Sequence, residues 1–124
     1  MRTRLVKLLT IATLMSACVQ APVIKPGDYA LLKSNYPVVA INGVNVEPSY
    51  RLDIPAGDST AVIDYRTYRH DYRCSFVWTA RARAVYEVTD QENKYPLTMY
   101  RWRRVNAAWA ARHDPLDPTQ CIEK

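Results

Sequence analysis

Arginine alternates with aromatic residues in two stretches of this chain, residues 65–73 and residues 100–104. An aromatic face beside a guanidinium group can hold a sugar, an anionic polymer or a protein partner. Four residues of these stretches are candidate partner-binding residues: Tyr68, Arg69, Arg101 and Arg103. The alternative is an ordinary strand surface, in which arginine stems cover half-buried tyrosines by snorkelling.

In the second stretch, residues 100–104, strand alternation limits which side chains can share a face. In an extended segment, the side chain of Trp102 points opposite to those of Arg101 and Arg103. Either Trp102 is buried and both arginines face solvent, or Trp102 is exposed and the arginines are covered. Burying Trp102 removes much apolar surface from water, so the sequence favours the first arrangement.

The sequence contains no pattern typical of an active site or a metal centre. His70 and His113 are each followed by an aspartate, but neither lies in an HxH or HExxH spacing. No serine lies in a nucleophile elbow, and no glycine-rich phosphate loop is present. We therefore expect no catalysis, no cofactor and no bound metal.

The first 18 residues form a targeting pattern. Basic residues open the chain, residues 8–15 are apolar apart from two threonines, and small residues precede Cys18. The apolar run is too short to cross a bilayer core of about 30 Å. The pattern resembles the lipobox of bacterial lipoproteins, although Met15 stands where leucine is usual. An ordinary secretory signal, cleaved near Ala17 or Ala21, is the alternative.

The lipobox resemblance implies that Cys18 is lipidated and becomes the first residue after cleavage. Residues 1–17 are then a lipoprotein signal peptide, and residues 18–34 are the lipidated N-terminus and a tether. Val19 is not an aspartate, which implies transport to the outer membrane with the domain facing the periplasm. A stable lipid anchor needs at least two acyl chains.

Removal of the signal changes the charge of the protein. The whole chain of 124 residues has 17 Lys and Arg against 12 Asp and Glu, a net charge of +5. The mature chain keeps 14 basic residues against the same 12 acidic residues, a net charge of +2. Such a small excess gives no reason to expect a nucleic-acid partner.

Cys18 is assigned to the lipid, which leaves Cys74 and Cys121. In the oxidising compartment that export implies, two cysteines most simply form a disulfide. The bond would attach the C-terminal tail to the body of the domain. The alternative is a pair of buried thiols, and neither cysteine lies in a metal-ligand spacing.

Short alternating segments separated by turn signals make up the mature chain. Asn42 and Gly43 separate two apolar runs, which is a strong hairpin signal. Further strands are predicted within residues 50–54, 60–67, 74–78, 85–88 and 97–104. The pattern predicts an all-β fold, a small antiparallel β-sandwich that forms a single domain over residues 35–124.

The sequence leaves the secondary structure of three segments open. Residues 29–33 fit a strand or a single helical turn, and Pro48 predicts a break in its segment. Residues 105–112 contain alanines that favour a short C-terminal helix, with Asn106 as its N-cap. Asn106 also fits a turn between two strands, and the context slightly favours this hairpin.

Residues 38–65 resemble the strand–turn–strand unit of PEGA-like β-sandwich modules. The motifs are Ile41-Asn42-Gly43, the sequence LDIPAG over residues 52–57, and the alternating residues 61–65. Such modules occur in bacterial envelope lipoproteins. The resemblance implies a fold and a location, and it carries no site residues.

These observations predict a lipid-anchored cell-envelope protein with a non-catalytic binding or scaffolding role in the periplasm. Its partners would be the membrane, through the lipid, and an envelope protein or a glycan. One alternative is an inhibitor of a periplasmic enzyme, because some lysozyme inhibitors are small lipoproteins with a disulfide and a Tyr-x-Cys segment like Tyr72-Arg73-Cys74. A glycan-binding module is another alternative.

Overall fold

The computed structural model describes residues 26–90, 96–105 and 108–124. Within these ranges the chain forms eight β-strands: β1 (Tyr29–Ile41), β2 (Val44–Pro55), β3 (Gly57–Arg66), β4 (Asp71–Ala80), β5 (Val85–Asp90), β6 (Leu97–Val105), β7 (Ala108–Leu116) and β8 (Gln120–Glu123). None of the described residues belongs to a helix capable of spanning a membrane. The all-β prediction is confirmed for this part of the chain.

β1 joins two groups of strands into one curled sheet. The strand order is β7-β6-β5-β1-β3-β4-β8, and β2 pairs with β1. The first half of β1 lies between β2 and β5, whereas its second half lies between β2 and β3. A register shift between Lys33 and Val38 separates the two halves. β1 therefore takes part in both layers, which gives the sheet its sandwich-like form.

One strand pair departs from the antiparallel arrangement that the sequence predicted. β1 and β5 run parallel, from Leu31 opposite Val85 to Ser34 opposite Val88. The other described pairs are antiparallel. Parallel neighbours need a long crossover connection, and here β2, β3 and β4 together provide it.

The hydrophobic core lies inside the curl of the sheet. Every layer contributes to it, and its largest members include Leu32, Val38, Ile54, Ile63, Phe76, Val88, Leu97 and Met99. Burial of each such side chain stabilises the fold by about 1.5–3 kcal/mol relative to exposure. The core is therefore built mainly from aliphatic side chains and Phe76.

Residues 29–34 belong to the folded domain, whereas the sequence assigned them to the tether. β1 begins at Tyr29, so the segment is a strand and not a helical turn. Ala30, Leu31 and Leu32 are almost fully buried. Their burial between β2 and β5 moves the start of the domain from residue 35 to Tyr29.

Asn42 and Gly43 form the predicted turn between β1 and β2. Their φ angles are 50° and 79°, the left-handed values that a tight hairpin turn requires. Ile41 pairs with Val44 across the turn. The Thr60 amide donates a hydrogen bond of 2.8 Å to Oδ1 of Asn42, which holds the turn against β3.

The structure decides two local questions. Pro48 does not end β2, but the β1–β2 pairing shifts register there, between the Val38–Ser49 and Ala40–Asn45 pairs. β2 pairs only with β1 in the described sheet, and an edge strand tolerates a residue without an N–H group. Residues 108–112 belong to β7, as the favoured hairpin predicted, and the alternative of a short C-terminal helix is wrong. Pairing with β6 overrides the helix propensity of the alanines. Asn106, the proposed turn residue, lies outside the described residues.

Cys74 and Cys121 form a disulfide, as predicted. The two residues lie directly opposite each other in the β4–β8 pair. Cys74 is fully buried within the core cluster. The bond therefore fastens the last strand of the chain to the core. Cys18 lies outside the described residues.

We expect the double variant Cys74→Ala and Cys121→Ala to lose up to about 4 kcal/mol of unfolding free energy, because the bond restricts a long loop of the unfolded chain. Its partners are 47 residues apart in sequence. The measurement is thermal unfolding, combined with hydrogen exchange of residues 120–123, which should exchange faster. Chemically reduced wild-type protein is the matched control. An unchanged melting temperature with unchanged exchange would contradict this role of the bond.

Candidate functional site

The four predicted binding residues lie at two separate ends of the domain. Tyr68 and Arg69 lie in the loop before β4, whereas Arg101 and Arg103 lie in β6, beside the turn that follows β4. β4 has ten residues, so its ends are about 30 Å apart. The four residues therefore do not form one face.

Five arginines lie together with Trp102 at one end of the domain. We call them the arginine cluster: Arg81, Arg83, Arg101, Arg103 and Arg104. With Trp102 they line an open depression of about 270 Å³. The pairing of Val85 with Trp102 brings the turn before β5 next to the last residues of β6. The cluster is thus assembled from two distant segments of the chain.

Sequence reasoning missed Arg81, Arg83 and Arg104. Arg81 and Arg83 lie in the turn between β4 and β5, where Arg83 has a φ angle of 70°. Their Arg-x-Arg spacing, which recurs at Arg101 and Arg103, was the available signal. The spacing alone does not show that the two segments meet, because the β5–β6 pairing decides this.

Positive charge exceeds negative charge in the arginine cluster. Nε of Arg101 donates a hydrogen bond of 2.8 Å to Oδ2 of Asp114. This bond holds the pKa of Asp114 below its usual range, and the nearby charge of Arg81 adds to the effect. Among the described residues, no carboxylate lines the depression itself. The cluster can therefore receive an anionic group.

Trp102 is half-buried and lies outside the main core cluster. It shares a cross-strand row with Val85, which is fully buried, and with Arg112, which is exposed. The Arg112 guanidinium lies 5.5 Å from the centre of the Trp102 ring and also pairs with Glu87 at 3.0 Å. Arg103 is exposed, as the favoured arrangement predicted, whereas Arg101 and Trp102 are both half-buried, so the arrangement is only partly confirmed.

A row of aromatic rings crosses β1, β3 and β4 at the other end. Tyr36 packs edge-on against Tyr65 with ring centres 4.7 Å apart, and Tyr65 stacks on Tyr72 at 6.3 Å. His70 follows at 5.5 Å from Tyr72, and we call these four side chains the aromatic row. Burial raises the pKa of Tyr36 and of Tyr65, and the nearby Asp90 raises both further.

A groove of about 420 Å³ opens beside the aromatic row. Its lining combines rings with charged and amide side chains: Asn35, Tyr36, Pro37, Tyr50, Asp64, Arg66, Asp71 and Lys124. Tyr50 is 58% exposed, so part of its ring is open to a ligand. Ring faces beside hydrogen-bonding groups are typical of sites that bind small polar molecules.

Asp64 organises the ion pairs of this groove. It accepts hydrogen bonds from Nε and Nη2 of Arg73 at 2.8 and 3.1 Å, and from Nζ of Lys124 at 3.4 Å. The bonds from Arg73 hold the pKa of Asp64 below its usual range. Because Lys124 follows β8 and Asp64 belongs to β3, the ion pairs also connect the C-terminus to the sheet.

Tyr68 is 95% exposed at the tip of the loop before β4. The Arg69 guanidinium lies 6.0 Å from the centre of its ring. The Thr67 hydroxyl accepts hydrogen bonds from the amides of Arg69 and His70, at 3.2 and 2.9 Å. These bonds fix the loop, which presents the Tyr68 ring to solvent at the groove end.

No three His, Cys, Asp or Glu side chains of the described residues are placed to hold a metal ion. The two histidines belong to different ends of the domain. His113 lies opposite Arg101 in the β6–β7 pair, and His70 lies in the aromatic row. The described side chains can bind ligands through rings, ion pairs and hydrogen bonds.

No family model, no curated protein and no solved structure matches this chain. Residues 1–25 lie outside the described part of the chain, and with them the whole signal pattern and Cys18. The resemblances to a lipobox and, over residues 38–65, to a PEGA-like module therefore stay predictions.

We expect Asp64→Asn to lower the unfolding free energy at neutral pH by about 1 kcal/mol, because it removes partly exposed ion pairs. An unfolded Asp has a pKa of about 3.9, and that of folded Asp64 is lower. The stabilisation is therefore complete above about pH 4 and disappears as the pH falls through the folded pKa.

Urea unfolding of wild type and variant between about pH 7 and about pH 2 measures this difference, which should shrink towards acid pH. Asp58→Asn is the matched control, because Asp58 accepts a hydrogen bond from the Thr79 hydroxyl at 3.2 Å. A difference that stays constant over the whole range would show that the Asp64 charge does not stabilise the fold.

Proposed function

We propose that this chain is a lipid-anchored protein of the cell envelope that binds a glycan in the periplasm without catalysing a reaction. Cys18 carries the lipid in the outer membrane, and residues 19–28 connect it to β1. The observation that carries the proposal is the groove with its aromatic row and exposed tyrosines.

The groove lies at the end of the domain that is remote from the tether. β1 begins at Tyr29, whose carbonyl oxygen accepts a hydrogen bond from the Arg83 amide, and it reaches the groove at Tyr36. An anchor at Cys18 therefore leaves the groove and Tyr68 on the side away from the membrane. This orientation supports contact with molecules of the periplasm.

The chemistry of the groove favours a glycan. A sugar offers an apolar ring face and several hydroxyl groups. The exposed ring of Tyr50 can stack on such a face, while Asp71, Asn35 and Lys124 supply hydrogen-bond acceptors and donors. The inhibitor alternative has less support, because Arg73 is paired with Asp64 and Cys74 is buried in the disulfide.

The anchor is tested with Cys18→Ala. We expect wild-type protein to carry the mass of acyl chains, and the variant to lack it and to leave membranes after a mild wash. Intact-mass spectrometry and membrane fractionation measure both effects. The Cys74→Ala, Cys121→Ala double variant is the control and should stay anchored. Retention of Cys18→Ala on membranes, with no acyl mass on wild type, contradicts the anchor.

The groove is tested with Tyr50→Ala, which removes an exposed ring of its lining and should leave the fold intact; Tyr68→Ala tests the exposed ring of the neighbouring loop. Loss of one stacking ring should weaken binding to peptidoglycan fragments about tenfold. Val77→Ala is the control, because Val77 is 52% exposed on β4 and does not line the groove. Titration calorimetry and sedimentation with peptidoglycan measure binding. Equal binding by all variants rejects the groove, and capture of an envelope protein without glycan affinity replaces the glycan with a protein partner.

A further inference from the structure

The arginine cluster lies where the N-terminal tether meets the domain. The Arg83 amide donates a hydrogen bond of 2.7 Å to the carbonyl oxygen of Tyr29, the first residue of β1. The Ala56 amide donates another, of 2.9 Å, to the carbonyl oxygen of Asp28. These two bonds fix the chain next to the turn that carries Arg81 and Arg83. A membrane that holds a lipid on Cys18 would therefore be connected to the domain at the side of the arginine cluster.

We propose that the arginine cluster docks the domain on the anionic phospholipid surface of the membrane that holds the anchor. This inference rests on one part of the proposed function, the attachment of the domain to the membrane through a lipid on Cys18. The eleven residues from Cys18 to Asp28 reach at most about 40 Å. The tether thus keeps the cluster close to the lipid headgroups, at a high effective concentration.

The side chains of the cluster suit phosphate groups. Guanidinium groups bind phosphate oxygens through paired hydrogen bonds, and a row of them adds attraction to an anionic leaflet. Arg81, Arg83 and Arg103 are exposed, and no carboxylate among the described residues lines their depression. Half-buried Trp102 lies among them, and tryptophan favours the depth of the headgroups.

The opposite end of the domain has a smaller excess of positive charge, most of it paired. There Arg66 pairs with Asp71 at 3.2 Å, and Arg73 and Lys124 both pair with Asp64. The mature chain has a net charge of only +2, so its positive excess is local. A surface for a general anionic polymer could lie anywhere on the domain. The position of this one beside the tether favours the membrane.

The test uses the mature protein purified from membranes, with its acyl state established by intact-mass spectrometry. It is placed in vesicles of phosphatidylcholine alone or of phosphatidylcholine with phosphatidylglycerol. Hydrogen exchange then compares residues 81–85 and 101–104 with residues 66–73. We expect phosphatidylglycerol to slow exchange in the first two segments only, and added salt to reverse the effect.

The Arg83→Glu, Arg103→Glu variant should lose this docking by at least about tenfold. The matched control is Arg66→Glu with Arg69→Glu, which makes the same charge change at the groove end and should keep the protection. Thermal unfolding verifies that both variants fold. Equal loss of protection in the two variants would overturn the assignment to the cluster.

The outcomes separate this inference from the proposed function. Acylated protein with equal exchange in both kinds of vesicle overturns the docking and leaves the anchor intact. Protein without acyl mass refutes the anchor, and its sedimentation with phosphatidylglycerol vesicles then tests the arginine surface directly. Protection by a soluble polyanion but not by vesicles assigns the cluster to a polymer and overturns membrane docking.

Discussion

β1 holds the domain together, because it is hydrogen-bonded in both layers of the curled sheet. Its first half pairs with β5 and its second half with β3, while β2 follows it along both halves. The buried side chains Leu32 and Val38 lie on either side of the register shift and belong to one core. Without this shared strand, the β5–β6–β7 and β3–β4–β8 groups would be two small sheets with exposed apolar faces, whereas together they bury these faces in one core.

The same strand also runs between the two ends of the domain, which differ in their surfaces. Tyr29 lies beside the arginine cluster and Tyr36 lies in the aromatic row, so one strand connects the two candidate surfaces. Charges are largely paired around Asp64 at the groove end, whereas no carboxylate among the described residues lines the depression beside Trp102 at the tether end. A lipid anchor on the tether would orient one surface towards the membrane and the other away from it.

Local sequence patterns correctly predicted the features that depend only on residues close together in the chain. The Asn42–Gly43 hairpin follows from left-handed φ angles that few residues adopt, so two residues sufficed to place it. Helix propensity of the alanines in residues 108–112 supported the wrong alternative, because the pairing of β7 with β6 is a tertiary feature. Pro48 shifts the register of β2 without ending it, because β2 lies at an edge of the sheet. The tether boundary was misplaced because the burial of Leu31 depends on β5, which lies far along the chain.

The sequence by itself indicated the all-β class and the hairpin, through alternation and turn chemistry. It predicted the Cys74–Cys121 bond only once Cys18 was assigned to a lipid. Only the tertiary structure decided which arginines lie together. Arg81 and Arg83 join Arg101 and Arg103 because β5 pairs with β6, whereas Tyr68 and Arg69 lie a strand length away. Strand pairing between distant segments depends on a shared core, and no local pattern encodes which strands will become neighbours.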